Sequence, residues 1–197
     1  MCDEQVDNRI LILDHDATMR LFSLDVAIDA VEAAYRAHAT ETARLFPVVR
    51  EHLEDGAACG SKSGYWPTAV AVSLKVAGSW SANRTRGLET HQATVVLCDA
   101  ATGRLRALIN GNAVTTQRTA AAGAVGLRAL ARPDLRSMAV LGTGTKALAQ
   151  TLAARHVYPH LHVVRVWTRN TARARTFVDL YESASLTLSG VNGGGAM

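Results

Sequence analysis

The sequence predicts an α/β protein in two successive parts: a mainly antiparallel α+β domain over residues 1–114, then a truncated parallel, doubly wound domain over residues 115–197. Three observations carry that expectation. Strict period-two alternation runs through residues 68–78, and an alanine-rich helical stretch over 115–131 separates the halves. From Met138 onward, strand, glycine turn, helix, strand and helix follow one another, the alternation that builds a parallel sheet with a right-handed crossover.

Taken in order, Ile10 to Leu13 form a short apolar run halted by Asp14-His15-Asp16, a strand entering a loop. Ser23 offers an N-cap, and Leu24, Ile28, Val31, Tyr35 and Ala39 recur at helical spacing, so a helix is expected over 23–44. Residues 47–50 read as a strand and the Gly- and Ser-containing stretch 54–64 as an exposed loop. In the alternating segment Val70, Val72, Leu74 and Val76 share one face; the other holds Ala69, Ala71, Ser73, Ala77 and a single cation, Lys75. Strands over 93–98 and 105–109 are joined through Asp99-Ala100-Ala101-Thr102-Gly103, whose glycine suits a positive-φ hairpin position. Gly111-Asn112 signals a turn, and the helix over 115–131 stops at Arg132-Pro133. A strand over 138–141, a helix over 147–155, a strand over 162–167 and a helix over 171–181 complete the second part. The glycine-rich end from Ser189 is expected to be loose, and a complete dinucleotide fold needs more strands than these, so the chain reads as a truncated product.

Composition narrows the function classes. With 48% hydrophobic and 19% charged residues, the 197-residue chain has the apolar surface to fold as a globular protein. It holds no apolar run of membrane-spanning length and opens on the acidic Met1-Cys2-Asp3-Glu4, so no membrane association and a cytoplasmic location are expected. Cys2, Cys59 and Cys98 are scattered and read as free thiols. The net charge of +4 is spread along the chain and aromatics are only 5%, which argues against a nucleic-acid partner and suits a small anionic ligand.

The turn Gly142-Thr143-Gly144-Thr145-Lys146-Ala147 lies between a strand and a helix, the context of a Rossmann dinucleotide site. Gly142 permits the tight turn, Gly144 lets the backbone approach a pyrophosphate, and Ala147 stands where helix and strand pack. After the second strand come Trp167-Thr168-Arg169-Asn170 and no carboxylate to hold ribose hydroxyls. Arg169 between a hydroxyl and an amide suits a 2′-phosphate, which favours NADP, with NAD open as the alternative. Lys75 reads equally as a pocket floor or a solvent-facing lysine. Arg118, placed in the first turn of its helix, suggests an anion between its guanidinium and the helix amides. His156, His160 and His162 are interrupted by Pro159 and lack an acidic third ligand, so no metal is expected.

Ser73-Leu74-Lys75-Val76, Thr90-His91-Gln92-Ala93-Thr94-Val95-Val96-Leu97, Asn110-Gly111-Asn112-Ala113-Val114-Thr115, Arg118-Thr119-Ala120-Ala121 and the glycine turn together resemble the ornithine cyclodeaminase/mu-crystallin family, nearest to its ketimine reductases. The resemblance covers residues 9 to 182. It implies a homodimer built through the first domain, a nucleotide on the Rossmann domain and a substrate held between the two. It also implies that Arg50, Lys75 and Arg118 hold the substrate carboxylate, with Thr90 and His91 lining the same pocket and Lys75 as catalytic residue. Thr119, Gly142, Thr143, Gly144, Thr145, Lys146, Thr168, Arg169 and Asn170 would bind the cofactor. The implied activity is NADPH-dependent reduction of a small cyclic imine carboxylate. Ornithine cyclodeaminase activity with NAD, or non-catalytic binding of a small molecule, are the alternatives. The glutamate that cyclodeaminases carry before the lysine strand is not evident near Gly64-Tyr65-Trp66-Pro67.

Overall fold

The computed structural model describes residues 9–191, with side chains to residue 184. The chain divides into two compact units. The first holds the described residues up to Phe22 together with Ala33–Thr115; the second holds Ser23–Glu32 and the described residues from Thr116.

The first unit is built on a seven-stranded sheet. Its strands are β1 (Leu11–Leu13), β2 (Arg44–Leu45), β3 (Val49–His52), β4 (Ala58–Trp66), β5 (Ala71–Ser79), β6 (His91–Asp99) and β7 (Leu105–Asn110). The order is β1-β7-β6-β5-β4-β2, with β3 also on β4. All pairs are antiparallel except β1 with β7, so the sheet is mixed. Helices α1 (His15–Leu21), α2 (Leu24–Ala39) and α3 (Gly111–Leu130) complete the elements up to the second unit.

Several expectations need correction here. Asp14-His15-Asp16 does not enter a loop: the Asp14 side chain accepts the Ala17 amide at 2.8 Å and caps α1. Helix α2 stops at Ala39 rather than running to residue 44. Glu41 turns left-handed (φ 55°), the amides of Thr42 and Ala43 fold back onto the Ala37 carbonyl, and Arg44 is already in a strand. The expected loop 54–64 is mostly β4. Its small residues had suggested a loop, but they answer a packing demand instead: a Cβ at Gly60 would collide with the Val49 carbonyl of β3. Val70 has left the alternating strand, in a left-handed conformation. Helix α3 begins at Gly111, not residue 115, because Asn110 Oδ1 accepts the Ala113 amide at 2.9 Å and starts the helix early.

The sheet's two faces have unusual polarities. Following the cross-strand register, Ile12, Leu108, Val96 and Leu74 form one row, and Val76 and Val49 flank it. This apolar face is open, with Ile12 77%, Val49 52% and Val76 43% exposed. On the opposite face Ala107 is buried, and the start of α3 lies over Lys75. The start of α3 thus covers this face around Lys75, while Arg50, His52 and Lys62 on it stay exposed.

In the second unit, β8 (Ser137–Leu141) and β9 (Val163–Trp167) pair in parallel, with α4 (Thr145–Val157) between them and α5 (Thr171–Val191) after. This is the expected strand–turn–helix–strand–helix order. Ala120, Ala121 and Ala124 of α3, Ala153 and Ala154 of α4, Leu161 and Phe177 form its core. Ala27 and Ile28 from the first half of α2 are buried in the chain as well, and Asp25 pairs with His156 of α4 at 2.6 Å, which explains why Ser23–Glu32 belongs to this unit. Helix α5 runs through Ser189 to Val191, while the remainder of the glycine-rich end, residues 192–197, lies outside the described residues. No helix among the described residues is long and apolar enough to cross a membrane.

The β6–β7 turn shows how sequence fixes a local shape. Gly103 has φ 72°, as its place in the hairpin predicted, and Asp99 Oδ1 accepts from Thr102 Oγ1 (2.9 Å) and from the amides of Thr102 and Ala101. The Thr102 hydroxyl, then its amide, the Ala101 amide and the Arg106 charge, hold the Asp99 carboxyl below the usual aspartate range. A group whose pKa falls on folding stabilises the fold above its unfolded value, about 3.9, and loses that contribution as pH falls through the folded value. Asp99→Ala is therefore expected to lower the urea midpoint at pH 7, with the gap to the parent closing as the medium is acidified below that range.

Candidate functional site

The face of the first unit that carries Lys75 gathers the basic residues. In the register, Lys75 on β5 lies opposite Val95 on β6 and Lys62 on β4; Arg50 on β3 lies opposite Gly60, which faces Ala77; His91 on β6 lies opposite Ser79, which faces Ala58 and then His52. Directly paired residues share a face, and so do residues two apart along a strand. Arg50, His52, Lys62, Lys75 and His91 thus stand on one side of the sheet. Three residues predicted from sequence, Arg50, Lys75 and His91, are therefore on the same side of the sheet.

Lys75 is held from above. Its Nζ donates to Thr115 Oγ1 of α3 at 3.0 Å in a partly buried setting, and Thr115 itself is only 5% exposed. Of the two sequence readings of Lys75, the solvent-facing one fails. Arg118 lies one turn further along α3 and is exposed. Because α3 starts at Gly111, Arg118 is well inside the helix and not in its first turn. The dipole argument for an anion between its guanidinium and the helix amides therefore fails, since that field fades within the first turn.

His91 has a defined tautomer. Its Nδ1 lies 2.9 Å from the Gly78 carbonyl, which can only accept, so Nδ1 carries the hydrogen. Nε2 is left as an acceptor, buried and without a hydrogen-bond partner among the described residues. A buried acceptor in this state costs stability unless a ligand supplies a donor. The segment leading into His91 is tied down: Asn83 donates to the Glu89 carbonyl at 2.9 Å, and Asn112 of α3 donates to Glu89 Oε2 (2.7 Å) and to the His91 carbonyl (3.0 Å). Thr90, half-buried, accepts the Trp80 amide on its carbonyl at 2.8 Å.

Sequence reasoning missed Thr115, His52 and Lys62. Thr115 left a signal, a hydroxyl on the alanine-rich buried stripe of a helix. Lys62 left none, because the β4 segment read as a loop and register is what sets it opposite Lys75. Like charges directly opposed across antiparallel strands destabilise by a few tenths to ~1 kcal/mol. Neither Lys62 nor Arg50 has an ion-pair or hydrogen-bond partner among the described residues.

The second unit carries the glycine turn. Gly142 has φ 108° and its amide donates to the Trp167 carbonyl at 2.8 Å, extending the β8–β9 pairing into the turn. Gly144 caps α4 with no side chain, and a Cβ built on Gly142 or Gly144 would meet nothing within 4 Å. Open space before an uncapped helix start fits a pyrophosphate. Thr143 and Thr145 flank Gly144, and Lys146 Nζ donates to Thr116 Oγ1 of α3 at 2.7 Å. At the end of β9, Thr168 and Arg169 follow Trp167, with Arg169 exposed. Asn170 shapes the turn that follows, since its Oδ1 accepts the amides of Ala172 (3.0 Å) and Arg173 (3.3 Å) and caps α5. Thr119 lies on α3 and is half-buried. Among the described residues no three His, Cys, Asp or Glu side chains gather as a metal site, and Cys59 and Cys98 are free thiols.

Residues 9–192 match the ornithine cyclodeaminase/mu-crystallin family. The iminosuccinate reductase of Paracoccus denitrificans is 35% identical over 150 residues, which is 76% of this chain and 47% of that one. Its crystal structure with NAD+ superposes with a TM-score of 0.78 at 31% identity, covering 88% of this chain and 55% of that chain. An archaeal alanine dehydrogenase dimer with bound NAD gives 0.81 at 29% identity, over 89% of this chain and 53% of that one. The Thermococcus litoralis Δ1-pyrroline-2-carboxylate reductase with NADH and L-proline gives 0.82 at 25% identity, over 89% and 54% of the two chains. The chain spans about half the length of the relatives it matches.

At φ 108° Gly142 occupies a conformation closed to side chains. Gly142→Ala is expected to destabilise the protein by about 1–3 kcal/mol, read in urea unfolding.

Proposed function

The chain belongs to the ornithine cyclodeaminase/mu-crystallin family, and from that premise we propose that it acts as an NADPH-dependent ketimine reductase on a small imine carboxylate, cyclic imines being the class its sequence points to. The observation that carries the reading is Lys75 held by Thr115 in a partly buried setting, on a sheet face that also carries Arg50 and the buried acceptor His91 Nε2. Two of the relatives named above are called reductases of imines, iminosuccinate and pyrroline-2-carboxylate.

When bound, the cofactor supplies a hydride to the imine carbon. The residues of the chain do the rest. Arg50 and Arg118 hold the carboxylate, which aligns the adjacent C=N bond, so alignment and electrostatics are most of what the protein contributes. Thr90 lines the same pocket. The Lys75 ammonium, oriented by Thr115, stands by the nitrogen and donates the proton that completes the amine. His91 Nε2 accepts the N–H of the amine once the proton from Lys75 has formed it, which satisfies its buried lone pair. The glycine turn from Gly142 to Lys146, with Thr119, takes the pyrophosphate side of the cofactor. Thr168 and Arg169 take a 2′-phosphate, and no carboxylate between Trp167 and Arg175 opposes it. Asn170 orders this turn by capping α5.

Purified protein with NADPH and a cyclic ketimine is expected to lose absorbance at the nicotinamide band, and no loss at saturating substrate overturns the reading. Lys75→Met and Arg118→Ala are each expected to lower kcat/KM by about ten- to a hundredfold, the scale of one charged hydrogen bond. Arg169→Ala is expected to raise the Kd of NADPH more than that of NADH.

We further propose a homodimer through the open apolar face, since a sheet that exposes Ile12, Leu74, Val76 and Val49 has its hydrophobic area still to bury. Light scattering should give twice the 21.0 kDa chain mass, and Val76→Lys should return a monomer.

A further inference from the structure

Arg118 is too far inside α3 for the helix dipole to place an anion beside it, but Lys146 stands where that field is strong. It is the second residue of α4, whose first turn carries no acidic side chain and whose cap, Gly144, makes no side-chain hydrogen bond. A cation there faces the positive end of the dipole, which disfavours it unless an anion shares the space. Its place is nevertheless fixed. Lys146 Nζ donates to Thr116 Oγ1 at 2.7 Å in a partly buried setting. Thr116 in turn heads a stripe of α3 that meets α4 and its C-cap residue further along: a Cβ on Gly123 would stand 3.3 Å from Gln150 Oε1, and the Tyr158 hydroxyl donates to the Leu127 carbonyl at 3.1 Å. Thr116, Gly123 and Leu127 are spaced i, i+7 and i+11, so they share one side of α3.

We propose that Thr116 is a positioning residue of the cofactor turn: it holds the Lys146 ammonium at the start of α4, in place for the pyrophosphate of NADH and NADPH alike. The inference rests on the nucleotide-binding part of the proposed function and does not require turnover. An ammonium carries three hydrogens, so a bond to Thr116 is compatible with one to a phosphate oxygen. In a helix the Cα–Cβ bond leans toward the N-terminus, which carries the Lys146 stem toward the open space at Gly142 and Gly144. An untethered lysine loses its rotamer freedom when it meets a phosphate, whereas one already tied to α3 has lost it on folding, so binding does not bear that cost. The pyrophosphate is common to both dinucleotides. Thr116 therefore sets affinity without selecting between them, a role separate from that of Arg169.

The test measures Tm and the Kd of NADH and of NADPH, read from nicotinamide fluorescence, for the parent, Thr116→Val, Thr116→Ser, Lys146→Met and the double variant Thr116→Val/Lys146→Met. Thr116→Val keeps the side-chain shape and removes the acceptor; it is expected to raise both Kd values by about three- to tenfold and to leave their ratio unchanged. Thr116→Ser, which retains the hydroxyl, is expected to bind as the parent does. Lys146→Met is expected to raise both values by about tenfold or more, and Thr116→Val to add nothing in that background, because the hydroxyl acts only through the ammonium. A purely structural Thr116 would weaken binding equally in either background, so this comparison decides even where Thr116→Val lowers Tm. If the parent binds neither dinucleotide, the reductase reading falls and this inference falls with it. If it binds them, a Kd unchanged by Thr116→Val, or additive effects of the two substitutions, overturns the inference and leaves the reductase reading intact. Binding that depends on Thr116 through Lys146, without reduction of any imine, keeps the inference and removes the reductase reading.

Discussion

The hydrogen bond from Lys75 Nζ to Thr115 Oγ1 is the contact that ties the start of α3 to the lysine face of the first unit's sheet. A lysine in the middle of a sheet strand normally marks the wet face. Here the start of the helix that follows the last strand is laid over that face, and its hydroxyl at this point meets the ammonium. The consequence runs in both directions. Lys75 loses the rotamer freedom that makes an exposed lysine a poor positioning group, and α3 gains a polar anchor within an alanine stripe that has little side chain with which to define its position.

That inversion of the sheet explains features that are separately puzzling. Gly60 and the alanines opposite it leave shallow relief, so Arg50, Lys62 and Lys75 rise from a floor of small residues. The β-branched and leucine side chains that would ordinarily seek the core lie on the other face, exposed. An exposed apolar face of this kind is the feature on which the proposed homodimer rests. The charged face and the apolar face are thus two results of one register: shifting β5 by a single residue would exchange them.

The second unit solves a different problem with backbone alone. A phosphate needs N–H groups and room, and Gly142 and Gly144 supply room by having no side chain while the helix start supplies the N–H groups. Asn170 has the matching role after β9, where capping α5 fixes the turn that carries Thr168 and Arg169. The loop between β9 and α5 is therefore specific in shape through one residue and in charge through another.

Much of this was legible in residue order. Period-two alternation marked β5, the glycine turn between strand and helix marked the nucleotide-binding half, and Gly103 marked its hairpin, since each is a local rule written within a few residues. Other features were not legible. The β4 segment looked like a loop because its glycines and serines answer to neighbouring backbones that are distant in sequence, and Arg118 looked like a first-turn residue because Asn110 had not been seen as a cap. The sequence by itself determined which segments alternate, where the chain must turn and which cations were present. Only the tertiary structure decided that the start of α3 covers the lysine face, that Thr115 holds Lys75 and that Lys62 stands opposite it. Strand register and helix placement are set by contacts between residues far apart in the chain, and no local pattern encodes them.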